Sequence, residues 1–325
     1  MRILTASDVR QLLPMSAAIE AVRDGYVALS HGHATVPVRG MMMTADGTTL
    51  TMPAHITGES VSVVKLVGIF DGNPARGLPT IHAVLLVTDA ATGVPLLLSD
   101  AGALTAIRTG AGSGVATDLL ALPDASVLAC IGAGAQGRTQ VEGVCAVRHI
   151  REIRLYSRGD SAQQMADEIQ GRYDATVTVA ETVAEATTSA DVICLATNSS
   201  SPVIHLDDVK PGAHINGVGS YKPTMQEAAA DLVTANHVQV IVDHRESIWE
   251  EAGDLIIPRD AGQFADEDIV AEIGQVVAGD VQGRTSDDQI TFFKSVGNAV
   301  QDAAVAKVLL NALQANPDVG SEAPL

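Results

Sequence analysis

Residues 132–137 read Gly-Ala-Gly-Ala-Gln-Gly, a G-x-G-x-x-G spacing between the short apolar run 127–131 and a helical stretch. In such a loop the first glycine permits a tight turn and the second lets a pyrophosphate approach the backbone. The third lets the helix pack close to the strand. The helix N-terminus then offers free N–H groups and a partial positive charge to the phosphates. Spacing alone is weak, but here the loop joins a strand to a helix, as that mechanism requires. Gly132, Gly134, Ala135, Gln136 and Gly137 are therefore candidate contacts for a dinucleotide.

The next strand ends in Ser157-Arg158. An NAD site wants an acid there, to accept the ribose 2′-hydroxyl. Serine and arginine can instead bind a 2′-phosphate, so NADP(H) is favoured, with NAD(H) as the alternative. Arg39 and Arg108 are candidates for a carboxylate clamp, because guanidinium matches a carboxylate in a bidentate fork. Lys65 sits in Val63-Val64-Lys65-Leu66-Val67. A lone lysine in an apolar strand either faces outward or is buried for a reason. If it is buried, desolvation and nearby arginines depress its pKa, and it can donate a proton.

Alternating strands and helices must position the loop. Strands are expected at 127–131, 153–157, 177–180, 192–196, 214–217 and 238–242, with helices near 136–147, 162–173 and 182–188. This alternation argues for a parallel doubly wound sheet. Thr197, and Val218 with Gly219, follow strand ends that should face a cofactor crevice. Residues 1–30 read as a strand and a helix capped by Ser7 or Asp8. Strands at 36–39, 48–52, 61–69 and 82–88 suggest an antiparallel sheet. Asp100 should cap a helix over 102–122, inside which Gly110, Gly112 and Gly114 demand close packing. The tail from Phe292 reads as helical, opened by Lys294 and Ser295, and residues 316–325 are expected to fray.

The 325 residues suffice for about two domains. The net charge of −19 argues against nucleic acid as a partner. Such a surface, with only five lysines, suits a salt-rich cytoplasm or an ordinary acidic protein equally. Cys130, Cys145 and Cys194 are too few and too scattered for a zinc site or disulfide framework. The nine histidines show no metal-ligand spacing, so no metal is expected. The start, MRILTASDVRQLL, has no signal-peptide core, and no run approaches a membrane span. A soluble, cytoplasmic protein with no membrane partner is expected.

Six segments together resemble the ornithine cyclodeaminase/mu-crystallin family. They are VPVRGMM, VVKLVGIF, LTAIRTGAGSGVAT, IGAGAQG, GAHINGVGS and TFFKSVGNAVQDAAVA, in order along nearly the whole chain. The resemblance implies an α/β fold in which a Rossmann doubly wound domain is inserted in an α+β substrate-binding and dimerisation domain. The corresponding boundaries are 121–290 for the first and 1–120 plus 291–325 for the second. It implies a homodimer built through the N-terminal sheets. It implies substrate contacts at Arg39, Lys65, Arg108 and Val296, with Lys65 catalytic, and cofactor contacts at Thr80, Arg108, Thr197, Val218, Gly219 and Ser295. The implied activity is NAD(P)H-dependent oxidoreduction of a small amino or imino acid. The substrate would be a cyclic ketimine such as pyrroline-2-carboxylate, or pyruvate plus ammonia as in alanine dehydrogenases. Ornithine cyclodeaminases carry an aspartate where this chain has Tyr221. Tyrosine, with a pKa of about 10, is no carboxylate base, which disfavours that branch. A crystallin-like NADPH binder without catalysis is the remaining alternative. Asp243 and Asp254 read as structural.

Overall fold

The computed structural model describes residues 1–324 as two compact units. One comprises Met1–Arg108 and the chain from Asn298 onward; the other is Thr109–Gly297. The chain begins β1 (Arg2–Leu4), α1 (Ala6–Leu12), α2 (Met15–Ser30), β2 (Ala34–Thr35), β3 (Gly40–Met43), β4 (Thr48–Ile56), β5 (Val61–Ile69), β6 (Ile81–Asp89) and β7 (Pro95–Asp100). It continues α3 (Ala101–Leu120), β8 (Val127–Ile131), α4 (Ala135–Val147), β9 (Glu152–Tyr156), α5 (Ser161–Ile169), β10 (Thr176–Val179), α6 (Val183–Thr187), β11 (Val192–Leu195) and β12 (His214–Gly217). It ends α7 (Ala230–Val233), β13 (Val238–Val242), α8 (Arg245–Glu251), α9 (Gly253–Asp260), β14 (Ile269–Glu272), α10 (Ile273–Ala278), β15 (Ile290–Lys294), α11 (Ala299–Ala315) and β16 (Ser321–Glu322).

In the first unit the sheet runs β16-β1-β7-β6-β5-β4-β2, with β3 also on β4. Strands β4 to β7 form an antiparallel meander. Helices α2 and α11 pack against each other and on β4. Strand β5 alternates with period two, but its polarity is inverted: Val61, Val63 and Lys65 are buried, whereas Val64 and Leu66 are 40% and 42% exposed. The charge thus lies on the core face and two aliphatic side chains face outward.

The second unit holds an all-parallel sheet in the order β10-β9-β8-β11-β12-β15-β13-β14. Its first five strands follow the doubly wound pattern, so ligands are expected where the order reverses, between β8 and β11. Strands β11 and β12 are buried throughout, as a sheet covered on both faces requires. Helices α3 and α4 cross closely enough that a Cβ on Gly110 would lie 2.2 Å from the Thr139 carbonyl oxygen. One on Gly143 would lie 2.2 Å from that of Gly110. This close approach offsets the cost of about 1 kcal/mol that each helical glycine carries.

Several expectations are corrected. The last Rossmann strand is β15, inserted between β12 and β13, so Phe292, Phe293 and Lys294 are sheet and not helix. A fully buried strand shows no period of two, and its aromatic residues merge with the helical spacing that follows. Helix α11 starts at Ala299, with Asn298 as its cap, so Lys294 and Ser295 do not open it. The two compact units change over in sequence at 108/109 and 297/298. Residues 36–39 are not a strand, because Pro37 interrupts the ladder between β2 and β3. Pro14 divides the N-terminal helix in two, and Thr5, reciprocated by Asp8, is the first cap instead of Ser7. The C-terminal residues do not simply fray, since β16 pairs with β1. Leu325 lies outside the described residues.

Candidate functional site

In the second unit the loop after β8 is shaped by its glycines. Gly132 has φ +104°, and a Cβ there would lie 2.4 Å from the Ala196 carbonyl oxygen. A Cβ on Gly137 would lie 2.0 Å from the Gly132 carbonyl oxygen. A Cβ on Gly134, by contrast, would meet nothing within 4 Å. Gly134 is the cap of the 13-residue α4, with no side chain satisfying the first N–H groups. The side-chain oxygen of Gln136 is buried without a hydrogen-bond partner. An open approach at the middle glycine and uncapped helix donors fit a dinucleotide pyrophosphate. Gly132, Gly134, Ala135, Gln136 and Gly137 would hold it.

At the end of β9 the Ser157 hydroxyl accepts the Ala162 N–H at 2.8 Å and the Ser161 hydroxyl at 2.8 Å. Arg158 is exposed, its guanidinium 3.4 Å from the Asn198 side-chain oxygen. The N–H groups of Thr197 and Gly219, beyond β11 and β12, donate to the buried Glu227. Val218 is buried between them. The Ser295 hydroxyl donates to Asp243 at 2.7 Å, and the Val296 and Gly297 N–H groups donate to the same carboxylate oxygen at 3.1 and 2.9 Å. Asp243 therefore shapes the turn after β15. Tyr221 is half-buried, with the Lys222 ammonium 5.8 Å from its ring centre.

In the first unit, elements distant in sequence converge on Asp302 of α11, whose side chain is fully buried. The Lys65 ammonium lies 2.8 Å from one carboxylate oxygen, and the Arg108 Nε donates to the other at 3.2 Å. Arg108 also donates to Gln301 Oε1 at 2.9 Å, and Gln301 Nε2 donates to the Tyr26 hydroxyl at 2.9 Å. Burial pushes the Lys65 pKa down to about 8. Asp302 opposes the fall, while the Arg108 and Arg39 charges deepen it. Lys65, Arg108 and Arg39 outnumber the one carboxylate, so the cluster retains positive charge suited to an anionic ligand. Arg39 is half-buried in the segment between β2 and β3, and Thr80 is half-buried just before β6.

The structure thus brings together Arg39, Lys65 and Arg108 in one unit, with Thr80 elsewhere in that unit. The glycine loop, Ser157, Arg158, Thr197, Val218, Gly219, Ser295 and Val296 belong to the other. Sequence reasoning gave no role to Asp302, Gln301 or Glu227. An aspartate amid the apolar residues of α11 was the available signal, since a buried charge must be paired. Among the described residues no group of three or more His, Cys, Asp and Glu side chains is placed to hold a metal, and no helix is long and apolar enough to cross a membrane.

The sequence model of the ornithine cyclodeaminase/mu-crystallin family matches residues 1–316, and the chain belongs to that family. It is 38% identical over 312 residues to a Delta(1)-pyrroline-2-carboxylate reductase of Bacillus cereus, covering 95% of each chain. Its fold matches the Thermococcus litoralis Delta(1)-pyrroline-2-carboxylate reductase, solved with NADH and L-proline. There the TM-score is 0.94 and the identity 35%, over 99% of this chain and 100% of that one. An archaeal alanine dehydrogenase dimer with bound NAD matches with a TM-score of 0.92 and 33% identity, over 100% of this chain and 99% of that one.

The glycines separate fold from ligand. Gly137→Ala should destabilise the second unit by about 1–3 kcal/mol, the usual cost of overpacking. Gly134→Ala should leave the melting temperature within about 2 °C, because its methyl meets no protein atom. It should nevertheless weaken dinucleotide binding. Melting curves and fluorescence titrations with NADH distinguish these outcomes, and normal NADH affinity in Gly134→Ala would refute this use of the loop.

Proposed function

We propose that this chain is an NAD(P)H-dependent oxidoreductase of small imino and amino acids that reduces a cyclic ketimine such as pyrroline-2-carboxylate. Alanine dehydrogenase-type chemistry on pyruvate and ammonia is the second reading, favoured by the likeness to the archaeal enzyme. The observation that carries the proposal is the buried, positively charged Lys65–Asp302–Arg108 cluster in a chain that also carries the dinucleotide loop.

Arg39 and Arg108 hold the substrate carboxylate. Asp302 orients Lys65 and keeps its ammonium charged despite burial. Lys65 donates a proton to the imine nitrogen, which makes the adjacent carbon electrophilic. The bound dinucleotide supplies the hydride. Lys65 then recovers its proton from solvent. Tyr221 stands where cyclodeaminases carry an aspartate, so the chain lacks that acid/base group.

Since Lys65 must be protonated to act, ketimine reduction should fall as pH rises through about 8. Asp302→Asn removes the charge that opposes the fall in its pKa, so that limb should move to lower pH. NADH and NADPH oxidation with pyrroline-2-carboxylate, and with pyruvate plus ammonia, is the direct assay. Folded protein that binds the dinucleotide yet turns over neither substrate would be a crystallin-like binder, and the enzymatic reading would fall.

We assign the 2′-phosphate of NADPH to Ser157 and Arg158, because β9 ends without an acid and Arg158 is exposed beyond it. A charge-assisted bond of about 1.5–3 kcal/mol corresponds to a preference of roughly tenfold or more. Arg158→Ala should weaken NADPH and spare NADH. Equal loss for both cofactors, or a wild-type preference for NADH, would remove the assignment.

We also propose a homodimer formed through the outer face of the first unit's sheet. Val64, Leu66 and Val84 are 40%, 42% and 41% exposed there, and Met42 of β3, 60% exposed, lies on the same face by its register with β4. Aliphatic and methionine side chains left exposed on one sheet face suit an interaction site. Light scattering should give twice the 33.6 kDa chain mass, and Leu66→Asp should shift it to the monomer. A wild-type monomer would rule the dimer out.

A further inference from the structure

Glu227 lies in none of the motifs considered above, yet it is fully buried and joins two loops. Its Oε1 accepts the N–H of Thr197, beyond β11, at 2.6 Å. Its Oε2 accepts the N–H groups of Gly219 and Ser220, beyond β12, at 2.7 and 3.0 Å. These loops follow neighbouring parallel strands at their C-terminal ends, where open α/β sheets receive ligands. The fit is tight: a Cβ on Gly219 would lie 2.4 Å from Glu227 Oε1 and 2.2 Å from the Thr197 carbonyl oxygen.

The clamp is itself anchored. Asp254, at the start of α9, accepts the N–H groups of Glu227 and Ala228 at 2.6 and 2.9 Å. Its other oxygen lies 3.0 Å from the buried Lys294 ammonium on β15. Lys294 also donates to the carbonyl oxygen of Gly217, the last residue of β12, at 3.2 Å. A charged chain therefore runs from the sheet through Lys294 and Asp254 to the backbone of Glu227.

We propose that Glu227 is a positioning residue for the dinucleotide: ionised, it holds the loops after β11 and β12 in the arrangement that receives the cofactor, and its protonation loosens them. The proposal rests on the reading that this unit binds a dinucleotide. An ionised carboxylate accepts on both oxygens, whereas a protonated one turns an O–H toward one of the N–H donors. Burial pushes the Glu227 carboxyl up to about 7. The Asp254 charge adds to the rise, and Lys294 and the Thr197 N–H oppose it. The Cys130 thiol on β8 also acts across this space, and burial pushes it up to about 12 and so keeps it neutral. The binding-competent carboxylate is thus present above about pH 7 and lost as pH falls through that value.

NADH is the probe, because it lacks the 2′-phosphate that itself titrates near pH 6. Its Kd for the full-length wild type should rise roughly tenfold from pH 8 to pH 6, the change expected one unit below the pKa when only the ionised form binds. Calorimetry in buffers of different ionisation enthalpy should show proton release on binding at pH 7. Glu227→Gln should bind NADH at least about tenfold more weakly, with a flat pH profile and no proton release. Glu227→Asp should recover part of both. A purely structural glutamate would lower the melting temperature of the Gln variant but leave the pH dependence of Kd intact, which overturns the proposal. Flat wild-type affinity without proton release also overturns it, and needs no variant. Folded wild type that binds neither NADH nor NADPH at any pH would overturn the dinucleotide reading itself.

Discussion

A carboxylate taken out of water must be matched by positive charge, and in the first unit that constraint falls on Asp302. Its two oxygens face Lys65 from β5 and Arg108 from α3. Gln301, the neighbouring residue on α11, ties the same arginine to Tyr26 of α2. One buried anion thus sets the register between the sheet and three helices. It also pairs a lysine whose pKa burial has pushed down to about 8, and opposes that fall. Losing either partner would leave a charge buried and unpaired, the costly way to break such a pair. In the proposed mechanism, stability and chemistry draw on the same atoms.

The inverted polarity of β5 follows from this constraint. With Lys65 drawn inward beside Val61 and Val63, the alternation of the strand turns Val64 and Leu66 outward. The strand cannot satisfy Asp302 and keep both aliphatic residues in the core of a single chain. An outward apolar strip is the consequence, and the proposed dimer rests on it.

The second unit is governed by close backbone approach. Gly132, Gly137 and Gly219 sit where a Cβ would strike carbonyl or carboxylate oxygen, whereas Gly134 faces open space. Glycines in the same sequence thus differ in what they do, some packing the sheet to its helix and Gly134 leaving open space at the helix N-terminus. Buried carboxylates organise the surrounding turns. Glu227 gathers the loops after β11 and β12, and Asp243 gathers the turn after β15. Their donors are backbone N–H groups, so the loop shape does not depend on the loops' own side chains.

Much of this was written locally. The glycine spacing after an apolar run, the strands 127–131, 214–217 and 238–242, and the Asp100 cap on α3 are signals carried within a few residues of where they act. The family motifs around Arg39, Lys65 and Arg108 are equally local, and they sufficed for the fold class and the family. Other features needed the folded chain. The position of β15 between β12 and β13 is a long-range choice of partner, and a strand buried on both faces carries no alternation to announce it. The inward turn of Lys65 depends on an aspartate that reaches it only through α11, and the arginine sharing that aspartate lies 194 positions away in sequence. Periodicity reports what a residue's neighbours in the chain require. The partner of a buried charge is decided by which elements pack together, and that is settled only in three dimensions.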